Sequence, residues 1–367
     1  MKIKTITCHD VYNAGASLQA YALTAYLRQL GHDVEIINYK PDYLSNHYSL
    51  WTVGNPRYDK PLLREAYLLA KLPQRLKART SRRKKEFDLF TANMLPVTEK
   101  RYSSNAELKA DPPEADVYFA GSDQIWNIFF QNGRDPAFYL DFVPEEKVKA
   151  SYAASFATDS VPPQWQRQLK QWLSELDFIS VRESSGLNIV RDMGISDAVQ
   201  VLDPVFLLDA AQWQSVETDL DIHEPYLLVY DFDRSPEIAG FVKHAAAKHG
   251  WKIYSILPCE YCDRCFSEEG PQAFLYLVRN ASFVVSNSFH ATAFSLIFQR
   301  QFVVFNRCEE INTRMRDLAC LAGVEERLIS GDNWPIRDMD YGLISKKLEE
   351  AITRSKAFIQ NVLGSVK

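Results

Sequence analysis

Short apolar runs alternate with segments of helical period along most of this chain, and the first forty residues set the pattern. Ile3-Lys4-Thr5-Ile6-Thr7 reads as a strand and Cys8 to Gly15 as a loop. Leu18, Tyr21, Ala22, Ala25, Tyr26 and Leu30 then recur at the spacing of one helix face. Gly31 closes that helix as a C-terminal cap, and Val34 to Tyr39 is the next strand. Strand, helix and strand at this spacing make a βαβ unit with a parallel pair. A chain that repeats the unit belongs to the α/β class.

The repeats follow. Asp116 to Ala120 runs into Gly121-Ser122-Asp123-Gln124-Ile125-Trp126-Asn127, and Val148 to Ala154 into Ser155-Phe156. Phe178 to Val181 runs into Arg182-Glu183, and Val199 to Leu202 into Asp203-Pro204. If these strands are parallel, their following loops share one sheet edge. Asn13, Ser122, Asp123, Arg182 and Asp203 then converge there, as a binding cleft requires. The polar stretch from Asp209 to Glu224 reads as a connection between units. After it the alternation restarts at Tyr226 to Tyr230 and continues through the strand Phe302 to Phe305. A chain of 367 residues is too long for one ordinary core. The expectation is two Rossmann-like domains, 1–208 and 218–367, facing a central cleft.

The richest local signal is Ser286-Asn287-Ser288-Phe289-His290-Ala291-Thr292-Ala293-Phe294, between the apolar run Phe283 to Val285 and a helical segment. Its hydroxyls and His290 fall at a strand-to-helix turn. The first N–H groups of a helix lack partners, and that end attracts phosphate or carboxylate. A histidine there can touch an anion and move a proton at neutral pH. The alternative is that Asn287 or Ser288 merely caps the helix and His290 is a satisfied core residue.

The formal net charge of −5 argues against a nucleic-acid partner. No signal peptide follows Met1, and no run of about 18 apolar residues occurs, so a cytoplasmic location is expected. Cys259, Cys262 and Cys265 have spacing that could begin a metal site, but no fourth ligand lies at useful distance, since Cys308 and Cys320 are remote in sequence. From Leu62 to Phe90, apolar residues, Leu63 among them, interleave with a crowd of Arg and Lys, and Pro73 is expected to kink or split the helix there. This reads as an interfacial helix for anionic lipid, placing the protein at the inner face of the cell membrane; the alternative is a solvated charged face.

Six blocks in order carry a family resemblance: Tyr12-Asn13-Ala14-Gly15-Ala16-Ser17-Leu18-Gln19-Ala20-Tyr21-Ala22-Leu23, Gly121 to Asn127, Ser151 to Phe156, Ser180-Val181-Arg182-Glu183, Leu202-Asp203-Pro204 and Ser286 to His290. The chain resembles the polysaccharide pyruvyltransferases over most of its length. It departs from many members in having Ala291 rather than Gly after the histidine, and from some in having Ser288 rather than Arg two residues before it.

The resemblance implies a GT-B-like fold and transfer of pyruvate from phosphoenolpyruvate to a sugar of a surface glycan or its lipid-linked precursor. The product is a cyclic ketal. Phosphoenolpyruvate acts as co-substrate; no cofactor and no metal are implied, because side chains can supply the cations. His290 is the candidate for proton transfer and phosphate contact, and Asp123 for a base or hydroxyl anchor. Arg182, Asn287, Ser288 and Arg314 are candidate donor-binding residues. Asn13, Gln124 and Trp126 are candidate acceptor-binding residues, Trp126 by stacking on a sugar face. The rivals are a GT-B glycosyltransferase using a nucleotide sugar, a non-catalytic partner in a glycan-assembly complex, and a redox role for the three cysteines.

Overall fold

The structure is a computed structural model that describes residues 1–45, 48, 61–307, 312–329 and 338–366, with backbone alone for 61–63. Cys308 and the side chains of Leu62 and Leu63 therefore lie outside the described residues.

The first sheet contains β1 (Lys2–Ile6), β2 (Asp33–Tyr39), β3 (Val97–Tyr102), β4 (Val117–Ala120) and β5 (Val148–Ser151), in the order β3-β2-β1-β4-β5. Every pairing is parallel. Single bridges continue it through Ala150 with Phe178 and Ala154 with Val181 to the short pair β6 (Ser180–Val181) and β7 (Val199–Gln200). The second sheet contains β8 (Tyr226–Tyr230), β9 (Lys252–Ser255), β10 (Arg264–Cys265), β11 (Phe283–Ser286), β12 (Phe302–Phe305) and β13 (Leu328–Ile329). Its order is β10-β9-β8-β11-β12-β13, again all parallel. Runs such as Tyr226-Leu227-Leu228-Val229-Tyr230 are buried at every position, as strands covered on both faces must be.

The helices, in chain order, are α1 (Ala14–Gln29), α2 (Asp42–Ser45), α3 (Pro61–Arg79), α4 (Arg82–Met94), α5 (Asn105–Ala110), α6 (Pro163–Leu173), α7 (Ser184–Asp192), α8 (Ala210–Gln214), α9 (Pro236–His249), α10 (Pro271–Asn280), α11 (Phe289–Ile297), α12 (Thr313–Ala322) and α13 (Tyr341–Gly364). Gly31, at φ 85°, follows α1 in the left-handed conformation that favours glycine. Pro73 neither ends nor splits α3; the break in the basic segment comes at Thr80-Ser81, where Ser81 caps α4. No helix among the described residues is long and apolar enough to cross a membrane.

The connection from Asp209 to Glu224 contains α8, opened by a capping box between Asp209 and Gln212. The chain's last helix returns across it. On α13, Ser355 Oγ accepts from the Leu202 N–H at 2.9 Å, and the Phe358 ring lies 6.4 Å from that of Tyr152. One apolar cluster accordingly runs through both units, from Ile3 and Leu18 to Phe294 and Ile359.

Candidate functional site

In each sheet the chain winds outward from a central strand and then returns to that strand's other side. The reversals fall between β1 and β4 and between β8 and β11. Ligands of open α/β sheets bind at the carboxyl ends of the strands at such reversals. A cavity of about 310 Å3 occupies this place in both sheets at once. Val11, Asn13 and Ala16 reach it from the end of β1, and Asp123 and Gln124 from the end of β4. The other unit contributes Phe232 after β8, Asn287 to His290 after β11, Arg307 after β12, and Arg314 and Met315 from the start of α12.

Three helix N-termini therefore face one space. Asn13 caps α1, its Oδ1 accepting from the Ala16 N–H at 3.2 Å. Ser288 caps α11, its Oγ accepting from the Ala291 N–H at 3.4 Å. Arg314 is the second residue of α12. Each terminus carries partial positive charge, and together they favour an anion.

Two arginines, Arg307 and Arg314, line this cavity, and Arg314 is the one set deep in it without a carboxylate partner among the described residues. It is nine-tenths buried, and no carboxylate stands within ion-pair distance of it among the described residues. Its Nε lacks a hydrogen-bond partner. With the Gln124 amide oxygen turned toward it, the guanidinium donates to that oxygen at 3.2 and 2.8 Å. Burial, and then the neighbouring Arg182, push its pKa down to about 10, so it stays charged at neutral pH. Arg307 is placed differently: its Nη2 is 3.2 Å from Asp233 and its guanidinium lies 4.9 Å from the Phe232 ring.

Below the cavity lies a buried charged cluster. Arg182 Nη1 donates to Asp203 Oδ2 at 2.5 Å and its Nε to Glu183 Oε1 at 3.1 Å, while Ser155 donates to the same Glu183 oxygen at 2.6 Å. Burial alone would disfavour the charged Arg182, but Glu183, Asp203 and Asp123 reverse this and raise its pKa. Burial raises Glu183 above its usual range. For Asp203 burial pulls upward too, yet His290, Arg182 and the Val205 N–H prevail and hold it at about 2. His290 Nε2 stands 3.7 Å from Asp203 Oδ2.

Of the residues singled out in the sequence, Asn13, Asp123, Gln124, Asn287, Ser288, His290 and Arg314 meet at the cavity. Within it, Asn287 donates to Asp231 at 2.8 Å and accepts from the Phe232 N–H at 3.0 Å, which braces the loop after β8. Asp123 accepts from the Gln124 N–H at 2.8 Å. Two residues are placed elsewhere. Arg182 is not among the residues lining the cavity: its Nε and Nη1 bond Glu183 and Asp203, its buried Nη2 has no hydrogen-bond partner and stands 4.0 Å from Asp123, and its guanidinium lies 4.5 Å from the Phe289 ring. Trp126 is fully buried, stacked on Tyr139 at 5.5 Å and bonded through Nε1 to the Phe138 carbonyl, so it has no face for a sugar. Arg307 and Phe232 were missed. Their signal was position alone, since each sits within two residues of a strand's carboxyl end. Among the described residues no group of three or more His, Cys, Asp or Glu could hold a metal ion, and Cys262 Sγ bonds the Cys259 carbonyl.

Two parallel Rossmann-like units with an anion-receptive cleft at their joined carboxyl edges define a GT-B-like protein. UDP-N-acetylglucosamine 2-epimerase from Rickettsia bellii is similar in fold, with a TM-score of 0.52 at 11% identity over 100% of this chain and 97% of that one. The UDP complex of MnaA from S. aureus gives 0.49 at 10% identity, over 96% and 89% of the two chains. A Streptomyces sp. SF2575 glycosyltransferase complexed with thymidine diphosphate gives 0.41 at 13%, over 97% and 96%. Identities this low speak to fold alone. The family model described as "Polysaccharide pyruvyl transferase" matches residues 13–309, and the chain belongs to that family. No curated protein sequence matches it.

Proposed function

We propose that the cavity binds phosphoenolpyruvate and that the protein transfers its pyruvyl group to a sugar of a surface polysaccharide or of its lipid-linked precursor. The observation that carries this reading is Arg314, a buried guanidinium without a carboxylate partner among the described residues, set among the N-termini of α1, α11 and α12. Phosphoenolpyruvate brings a phosphate and a carboxylate, and fixed N–H donors with a planar guanidinium suit both. Membership of the family supplies the transferase class and the polysaccharide acceptor.

The reaction balances without an outside reagent. A sugar hydroxyl oxygen bonds to C2 and gives up its proton to Asp123, while the methylene carbon takes a proton from His290 and becomes methyl, so one proton is lost and one gained. A second hydroxyl then bonds to C2, phosphate departs, and that hydroxyl's proton leaves with it. His290 is assigned proton transfer and phosphate contact, and Asp123 the acceptor hydroxyl, with Asn13 and Gln124 beside it. Asp203 is a positioning residue that faces the imidazole from below. Arg182 holds Asp203 and Glu183 in place instead of touching the donor. The side chains present can supply the charge that the reaction needs, so no cofactor is assigned.

The test is thermal stability with and without millimolar phosphoenolpyruvate, since a ligand that binds only the native state raises the melting temperature. A rise for the wild type that shrinks in His290→Ala is expected. No rise with phosphoenolpyruvate but one with a nucleoside diphosphate would replace this reading by a nucleotide-sugar glycosyltransferase.

A further inference from the structure

The basic segment of residues 62–90 divides into two helices with opposite surroundings. α4 is docked. Its Phe87 and Phe90 are buried, and Arg82 pairs with Glu269 at 2.8 Å. Arg83 donates to the carbonyls of Ser267 and Tyr12 at 3.2 and 2.8 Å, and Lys84 pairs with Asp88. Most of its cations are thus engaged within the protein, and α4 is not the lipid-binding face that the composition of the whole segment suggested.

α3 is the reverse. From Arg64 to Arg79 no residue is buried; Leu69 is 70% exposed and Leu76 47%. These two are seven residues apart, two turns on one stripe, with Leu72 between them. Arg64, Lys71, Arg75, Lys77 and Arg79 stand against Glu65 alone over this stretch of an otherwise acidic chain. None of Arg64, Lys77 and Arg79 pairs with a carboxylate among the described residues.

We propose that α3 is a docking surface for an anionic lipid bilayer, lying in the interface with the Leu69–Leu72–Leu76 stripe in the acyl boundary and its basic side chains among the headgroups. Charge complementarity decides the occupant. A second copy of the chain would set one cationic helix against another, at a repulsive cost. An anionic bilayer supplies an apolar layer and negative charge to the same helix, which is the arrangement of interfacial amphipathic helices. The inference is independent of the reaction proposed above, because it uses no residue of the cavity.

The experiment is co-sedimentation of the full chain with vesicles of phosphatidylcholine alone and of phosphatidylcholine with about one-third phosphatidylglycerol, a mixture chosen to give the anionic surface of the argument. Binding to the anionic vesicles only, weakened by salt, is expected. Lys71→Gln with Lys77→Gln should weaken it roughly thirty-fold, at about five-fold per basic side chain. Leu69→Ser with Leu76→Ser should weaken it at least about ten-fold through lost apolar burial. Both pairs are exposed, so the melting temperature should be kept, and Lys85→Gln on α4 should bind as the wild type does. Equal binding by wild type and α3 variants, or none to anionic vesicles, overturns the proposal. So does a dimer in solution that the leucine variant dissociates, which would make α3 an interface between copies.

Discussion

Gly15 and His290 meet across the cleft: a β-carbon on Gly15 would stand 2.7 Å from Cε1 of the imidazole and closer still to Nδ1. Gly15 is the second residue of α1 in the first unit and His290 the second residue of α11 in the second. The two helix N-termini therefore approach as closely as they do only because position 15 has no side chain. The imidazole lies close against Gly15 of α1 on this side and faces Asp203 on another.

Gly15→Ala should therefore act on the histidine and not on the helix. Alanine is the better helix former, so α1 itself loses nothing. The overlap with the buried His290 ring is expected to cost about 1–3 kcal/mol, as overpacking does. Turnover should fall by more than about a hundredfold, since a displacement of 1 Å at a reacting group costs about that much. Denaturant unfolding and steady-state kinetics read the two effects separately. Unchanged turnover would show that the position of the imidazole is immaterial to the chemistry.

Asp203 should make its mark at acid pH. Its carboxyl titrates at about 2 in the folded protein, below its ordinary value of 3.8. A folded value below the unfolded one means stability that is fully present above about pH 4 and is lost as pH falls toward 2. The size is about 2 kcal/mol. Asp203→Asn should abolish this part of the acid transition. At neutral pH it should also cost about 3 kcal/mol, because Arg182 is left buried with a weaker partner. Urea unfolding of both proteins at pH 3 and pH 7 measures the difference. As Asp203 acts through His290, the variant should lower kcat and shift its pH profile while leaving the KM for donor nearly unchanged.

Much of the fold could be read because its signals are local. The βαβ unit from Lys2 to Tyr39 shows as an apolar run, a helix-period face and Gly31, all within forty residues. The turn at Ser286 to His290 shows because an apolar strand abuts hydroxyl residues that cap a helix. What escaped depends on partners far along the chain. Arg182 looks like an anion ligand until Asp203, twenty-one residues away, is seen against it. Trp126 looks like a sugar platform until Tyr139 covers it. The cations of α4 look free until Ser267 to Glu269 arrive from the other unit.

Arg83 ties the two units together beside the cavity. Its guanidinium bonds the Tyr12 carbonyl, one residue before the cap of α1, and the Ser267 carbonyl of the second unit. Arg83→Ala should destabilise the protein by about 1–3 kcal/mol, the range for hydrogen bonds to a charged group. Hydrogen exchange should rise at the start of α1 and near Ser267 more than in the sheets. Uniform exchange behaviour would show that the strap carries no local load.

Arg314 yields the sharpest test, because two of its effects have opposite signs. Without ligand it is a buried cation lacking a carboxylate partner among the described residues, which disfavours the folded state. Arg314→Met keeps similar bulk and removes that penalty, so the unliganded variant should melt higher than the wild type. With millimolar phosphoenolpyruvate the order should reverse. The wild type gains a charge-assisted contact of about 2–3 kcal/mol, close to a hundredfold in affinity, and the variant gains none of it. Thermal unfolding with and without the ligand reads both signs in one series. A variant that melts lower unliganded yet keeps the full shift with phosphoenolpyruvate would mean that Arg314 serves the fold and that the donor's charge is met elsewhere.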